Sequence, residues 1–351
     1  MLNERELIKI LLNRTENLSV SDCAYVHNKT VLVTGGGGSI GGELCRQLAT
    51  KTPKKIIILD CYENGAYDVE QELKFKYPSL DIVVEIATLR ERGKIKRILK
   101  KHRPDVVFNA GAHKHVPLME NAPDEAVKNN VLGTKNIAEL CGKFGVEKFV
   151  QISTDKAVNP TSVMGATKLV CEKIICVLSK KYKTKFVAVR FGNVFNSSGS
   201  VIPLFYKQIL SGGPVTVTDK NIVRYFMTVS EAVSLLLTAG SSVESGQIYV
   251  LDMGEQVNIY ELANKMIKHY NSPAEIKIIG LRPGEKLYEE RLYADEQLVK
   301  TDDKRISIVR INSDKKLWFN FNVNRLIRIA KKGEKGVVKM LKKILPEYIG
   351  G

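Results

Sequence analysis

The chain has 351 residues, 44% of them hydrophobic, which suits one large domain, or a large one with a smaller lobe, and excludes a disordered chain. Lys plus Arg number 54 against 38 Asp plus Glu; the formal charge of +16 suits an anionic partner such as a nucleotide-sugar diphosphate, and without a motif of interleaved aromatics no nucleic acid is expected. No apolar run approaches the ~20 residues of a bilayer-spanning helix, and the start, Met1-Leu2-Asn3-Glu4-Arg5-Glu6, lacks a signal peptide's apolar centre, so a cytoplasmic protein with no integral membrane segment is expected. Cys23, Cys45, Cys61, Cys141, Cys171 and Cys176 form no Cys-x-x-Cys, and His113-x-His115 has no evident third ligand. Reduced thiols and no metal are expected.

In chain order, residues 1–29 read as an N-terminal helical arm with a polar connection. The apolar run Thr30–Thr34 predicts a strand, Gly35–Gly41 a turn, and Glu43–Thr50 a helix. Further strands are expected at 55–60, 81–86, 105–110, 148–153 and 186–190, with helices over 124–144 and 164–181 between them. Strands apolar on both faces, alternating with helices, imply a doubly wound parallel α/β sheet, a cofactor-binding domain over 30–192. Beyond Gly192 the pattern changes to a smaller α+β lobe over 193–351, some of whose segments return to the main sheet. It has strands at 215–217 and 247–251, helices at 229–239 and 259–270, and loops at Ser197–Ser200 and Arg282–Lys286. Arg325–Leu345 predicts a basic amphipathic helix, interrupted near Gly333, that packs on the body.

Gly35-x-x-Gly38-x-x-Gly41 lies between a strand and a helix. Together with Ser39 and Ile40 it offers a tight turn and a helix N-terminus to a pyrophosphate. Asp60, at the end of the next strand, can accept from ribose hydroxyls and would repel a 2′-phosphate, favouring NAD, with NADP possible. Ala110, Gly111 and Ala112 are small enough to let a cofactor pass, and Asn130 and Ser153 complete the candidate cofactor set. Lys168 is expected to hold the nicotinamide ribose. The position four residues before it, where such enzymes carry a proton-exchanging Tyr, is Met164. Asp155 and Lys156 offer an acid and an amine instead, and both are expected on the turn beyond the strand ending at Ser153, since neighbours on a strand point apart.

These stretches, with Lys114–Glu120, Arg190–Asn193, Arg224–Thr228 and Leu281–Glu290, resemble the polysaccharide-biosynthesis nucleotide-sugar 4,6-dehydratases of the extended short-chain dehydrogenase/reductase superfamily. Within these, the chain is most similar to UDP-N-acetylglucosamine 4,6-dehydratases with Met in place of Tyr. It resembles the soluble half of larger, membrane-bearing members.

The resemblance implies oxidation at sugar C4, loss of water across C5 and C6, and return of hydride to C6. The product would be a UDP-4-keto-6-deoxy-N-acetylhexosamine for surface-glycan or glycoprotein sugars, with C5 retention favoured. Lys156 is then the candidate C5 base, which requires a neutral amine, and Asp155 the candidate acid for the C6 hydroxyl. Thr154 or Ser153 would relay the C4 hydroxyl proton. Lys114, Asn193, Arg224, Arg282 and Glu285 would bind the UDP-N-acetylhexosamine, and a homo-oligomer is expected. A UDP-sugar 4-epimerase and a catalytically inactive nucleotide-binding protein are the alternatives.

Overall fold

The computed structural model describes residues 4–12, 18, 23–241, 244–290, 298–309 and 316–350. Helix α1 (Glu4–Leu12) comes first. It is followed by β1 (Thr30–Thr34), α2 (Ser39–Ala49), β2 (Lys55–Asp60), α3 (Glu63–Lys76), β3 (Asp81–Ile86), α4 (Arg92–His102) and β4 (Val106–Asn109). Short helices α5 (Val116–Asn121) and α6 (Pro123–Ala126) lead to α7 (Gly133–Phe144), β5 (Lys148–Thr154), α8 (Val163–Ser179) and β6 (Lys185–Phe191). Next come β7 (Asn193–Val194), α9 (Val201–Leu210), β8 (Val215–Val217), β9 (Val223–Met227), α10 (Val229–Gly240), β10 (Gln247–Leu251) and β11 (Gln256–Asn258). The chain ends with α11 (Ile259–His269), β12 (Ile276–Ile278), β13 (Leu298–Lys300), β14 (Ile306–Val309), α12 (Lys316–Ala330) and α13 (Val337–Ile344).

Among the described residues, the main sheet runs β13-β14-β10-β6-β5-β4-β1-β2-β3. It is parallel from β3 to β10, with β14 and β13 antiparallel at one edge. The order reverses direction between β1 and β4, the switch point at which doubly wound sheets bind ligands. Alternate strand residues feed two apolar layers. Leu32, Ile57, Val107, Phe149 and Phe186 face α4, α7, α8, α12 and α13. Val31, Val33, Ile56, Phe108 and Val187 face α2, α3 and α10. A third core forms the smaller lobe around Phe195, Phe205, Val215, Phe226 and Met266.

Four expectations change in detail. The helix after the glycine turn begins at Ser39 rather than Glu43, because Gly41 and Gly42 lie inside its first turns. A Cβ on Gly41 would overlap the Gly35 carbonyl, so the glycine serves a close approach within the helix. The single helix expected over 124–144 is broken by a π-helical stretch, Val127–Leu132. The extra residue turns Asn130 inward, where it binds the backbone of His113. Strand 247–251 is a parallel strand of the main sheet, paired to β6, not of the lobe. The expected N-terminal arm belongs to the lobe: Leu7, Ile8 and Leu11 of α1 are buried there, and Lys265 Nζ donates to the Leu11 carbonyl at 3.3 Å. Residues 1–3, 13–17 and 19–22 of that arm lie outside the described residues.

The basic C-terminal segment forms α12 and α13, parted at Gly333 and Gly336, both with positive φ. Val323, Leu326, Val337 and Leu341 are fully buried against α8 and its neighbours. Leu326→Ala should therefore cost ~2–5 kcal/mol of stability, as buried leucine truncations do. Urea unfolding measures it, and an unchanged midpoint would mean that this helix pair is not docked on the body.

Candidate active site

A cleft of 690 Å³ opens beside the carboxyl ends of β1, β4, β5 and β6 and is closed on its far side by the smaller lobe. Gly35, Gly38, Ser39, Ile40 and Gly41 form one wall. No side chain caps the N-terminus of α2, so its first N–H groups are available to an anion. Gly35 has φ 64°, and a Cβ there would stand 2.7 Å from the Gly111 nitrogen. An uncapped helix start and a floor without side chains fit a dinucleotide pyrophosphate.

Other expected cofactor residues act at one remove. Asp60 accepts from the backbone N–H of Gly37 and of Tyr62, each at 2.9 Å, and so braces the glycine turn. Asn130 accepts from His113 N at 2.8 Å and donates to His113 O and to Thr167, which fixes the loop after β4. Asp60, Gly111 and Asn130 do not line the cleft, whereas Ala110 and Ala112 do. Lys168, on α8, reaches the cleft and donates to the Ile152 carbonyl at 2.5 Å; burial pulls its ammonium below the ordinary lysine value. Met164 also lines the cleft, and among the described residues no tyrosine stands in its wall. Ser153 lines it too, but its hydroxyl is spent on Glu172 at 2.5 Å.

Beyond Thr154 the chain makes one tight turn over Asp155–Ala157, as expected, with Thr154 Oγ1 accepting from Lys156 N. The turn lets neighbouring side chains converge. Lys156 Nζ donates to Asp155 Oδ1 at 3.1 Å and to Asn193 Oδ1 at 3.1 Å, and pairs with Glu289 Oε1 at 3.2 Å. Asp155 is 3% exposed and stands just behind the cleft wall. Its Oδ1 accepts from Thr154 Oγ1 at 2.9 Å, while Oδ2 has no hydrogen-bond partner among the described residues and faces Gly192. Thr154 and Lys156, in front of it, line the cleft.

Charge in this cluster follows from burial set against pairing. Burial pushes the Asp155 carboxyl above the ordinary aspartate value, further than the Lys156 ammonium pulls it down. Burial alone would lower Lys156, but Asp155 and Glu289 together hold it above the ordinary lysine value. For Glu289, burial would raise the carboxyl, yet Lys156 and Arg224 hold it below the ordinary glutamate value. A base at Lys156 requires a neutral amine, and the two carboxyl groups beside it oppose that form. Its ammonium sits between two carboxyl groups, with each of its three donors directed at an acceptor.

The residues expected at the nucleotide end fall into two groups. Arg224 lines the cleft but is consumed within the lobe. It donates to the Val223, Lys286 and Leu287 carbonyls at 2.7, 2.7 and 3.1 Å, and pairs with Glu285 and Glu289 at 3.5 and 3.4 Å. Its guanidinium braces the 285–289 strip at the cleft wall. Arg282 is half exposed at the cleft, held by Glu285 at 3.1 Å. Lys114 donates to the Ser198 carbonyl at 2.7 Å, and burial lowers its ammonium. Ser198 N in turn donates to Ser39 Oγ at 3.1 Å, so the Ser197–Ser200 loop bridges the lobe to the glycine turn.

Sequence reasoning missed Glu289. It lies beside Glu290, and nothing in the letters separates them. Glu290 is an exposed partner of Lys286, whereas Glu289 turns inward and lines the cleft. It also missed the ion pair of Arg190 with Glu172, at 1% and 0% exposure. The Arg190–Asn193 stretch pointed to the neighbourhood but not to the partner on α8.

Residues 31–311 match the family described as polysaccharide biosynthesis protein. The probable polysaccharide biosynthesis protein EpsC of Bacillus subtilis is 52% identical over 77% of this chain and 46% of its own length, so the chain spans about half of that relative. An enzyme of Campylobacter jejuni named UDP-N-acetylglucosamine 4,6-dehydratase (inverting) is 32% identical over 77% of this chain and 79% of its own. Among solved structures, the UDP-glucose 4-epimerase of Thermus thermophilus in complex with NAD superposes with a TM-score of 0.66 at 26% identity, covering 74% of this chain and 89% of that one. With the sheet order, the glycine turn and these relatives in agreement, the chain belongs to the polysaccharide biosynthesis protein family and has the doubly wound fold of nucleotide-sugar dehydratases and epimerases.

Proposed function

We propose that this protein is an NAD-dependent UDP-N-acetylglucosamine 4,6-dehydratase whose product is a UDP-4-keto-6-deoxy-N-acetylhexosamine. One observation carries the reading. Asp155, Lys156 and Glu289 converge beside the wall that holds Met164, where an epimerase would need a phenol and would have no task for buried carboxyl groups. We read C5 as retained, as the resemblance to the longer, membrane-bearing members implies; the relative named as inverting is 32% identical.

When bound, NAD supplies the acceptor and donor of hydride. The protein supplies position and protons. The α2 N-terminus and the glycine turn hold the pyrophosphate, and Lys168 offers its remaining donors to the nicotinamide ribose. Arg282 and Lys114 provide positive charge for the sugar diphosphate. Burial favours a protonated Asp155, whose proton reaches the departing C6 hydroxyl by relay: the Thr154 hydroxyl, which donates to Asp155 Oδ1 at rest, turns its own hydrogen to the leaving oxygen as it takes the carboxyl proton. Lys156, kept charged, stabilises the negative charge that builds on the C4 oxygen when C5 is deprotonated.

Two outcomes are expected. Purified protein with NAD and UDP-N-acetylglucosamine yields a product lighter by one water in mass spectrometry. A product of unchanged mass with an inverted C4 in NMR is the epimerase result, and would falsify the dehydratase reading. Second, the acid form of Asp155 is the active one, so kcat falls as pH rises through its elevated pKa. Asp155→Asn has no such proton, and its kcat drops ~10²–10⁴-fold; a variant as fast as the parent at every pH removes the carboxyl from the mechanism.

A further inference from the structure

The C-terminal helix pair is packed on one side only. Residues 316–345 carry nine Lys and Arg against one acid, Glu334. Along α12, Phe319, Val323, Leu326, Ile327 and Ala330 are buried, while Trp318, Phe321, Arg325 and Arg328 are exposed. Those four exposed side chains fall within about 80° of arc at 3.6 residues per turn. On α13, Val337, Met340, Leu341 and Ile344 are buried, and Lys339 and Lys343 are exposed. The two helices touch each other and both rest on α6 and α8, so their outer faces share one side of the molecule.

The charge on that side is not neutralised. Among the described residues no carboxylate pairs with Arg325, Arg328, Lys339 or Lys343, and Arg328 Nε reaches only the Asn324 carbonyl, at 3.4 Å. The aromatic end of the stripe is open, with Trp318 45% and Phe321 60% exposed. A second copy of the chain fits this side poorly, because a two-fold contact would set the same cations against each other. A nucleic-acid strand would need aromatics spaced along a cationic groove, whereas both aromatics here lie at one end of an outward-facing helix surface. An anionic bilayer surface fits both features. Clustered Lys and Arg are drawn to acidic headgroups, and Trp and Phe settle where headgroups meet acyl chains.

We propose that the outer faces of α12 and α13 dock the protein on an anionic membrane surface, with the cations against the headgroups and Trp318 and Phe321 set among them. The contact is peripheral, since the apolar faces of both helices stay on the body. It does not depend on which sugar the cleft processes.

Trp318 is the chain's one tryptophan, so indole fluorescence reports on this face without a label. The test titrates the full chain with vesicles of equal parts phosphatidylglycerol and phosphatidylcholine, and with phosphatidylcholine alone. The first should sediment the protein and shift Trp318 emission to the blue; the second should do neither. Salt at ~1 M, which shortens screening to about 3 Å, should release the protein. Arg325→Gln with Arg328→Gln should weaken binding roughly 20–30-fold, about fivefold per cation. Lys74→Gln with Lys76→Gln removes the same charge from α3, on the opposite face of the sheet, and should bind like the parent. All four side chains are exposed, so both double variants should keep the parent's urea midpoint.

Equal binding to both vesicles, or none to either, overturns the proposal. So does a loss in the α3 variant as large as in the α12 variant, which would reduce the effect to net charge. Emission that turns blue with protein concentration before any vesicle is added gives the face to a second copy instead. Tighter binding to single-stranded RNA than to the acidic vesicles, lost in the α12 variant, gives it to nucleic acid.

Discussion

A buried ion pair sets the geometry on which the site depends. Arg190 near the end of β6 donates through Nε and Nη2 to Glu172 of α8, at 2.9 and 2.8 Å, and Ser153 near the end of β5 donates to the same carboxylate. One carboxylate thus ties two adjacent strand ends to the helix that carries Met164 and Lys168. Taking two charges out of water is costly, and such pairs are retained where a unique arrangement matters more than stability alone. Here the arrangement is a register. With Glu172 anchored, Lys168 one turn earlier on α8 meets the Ile152 carbonyl, and the turn after Thr154 leaves the sheet at a fixed point.

From that anchor the working charges are arranged by opposition. Asp155 loses its water and tends to hold a proton; Lys156 loses water too, yet stays charged because two carboxyl groups compensate. The same burial thus acts in opposite directions on neighbours in sequence. Arg224, expected at the ligand, is the rear support that keeps Glu289 facing Lys156. The carbonyls of Val223, Lys286 and Leu287 fix that guanidinium at the cleft wall.

Much of this was legible in the letters. Apolar runs located the parallel strands within a residue or two, since strands buried on both faces leave no other pattern. The glycine spacing marked the turn, and the rule that strand neighbours diverge placed Asp155 and Lys156 on the turn beyond β5. Three things were not legible. The inward bulge at Asn130 depends on a contact with His113, which no local period reveals. The choice between Glu289 and Glu290 depends on which way the strip turns across the cleft. The ionisation of Lys156 depends in part on that same distant carboxylate, which a sequence view limited to the Asp155-Lys156 pair does not contain.

The placement of α1 has a consequence for biosynthesis. Leu7, Ile8 and Leu11 are made well before their partners Phe195, Phe205, Leu262 and Met266. At elongation rates of ~5–20 residues per second, helix α1 waits on the order of ten seconds or more for its binding surface. During that interval its apolar side is open to chaperones or to a neighbouring nascent chain. Strands β1 to β6 lie between the two parts, whereas β10, β13 and β14 come after much of the lobe, so the cleft closes only after both distant parts of the polypeptide have met.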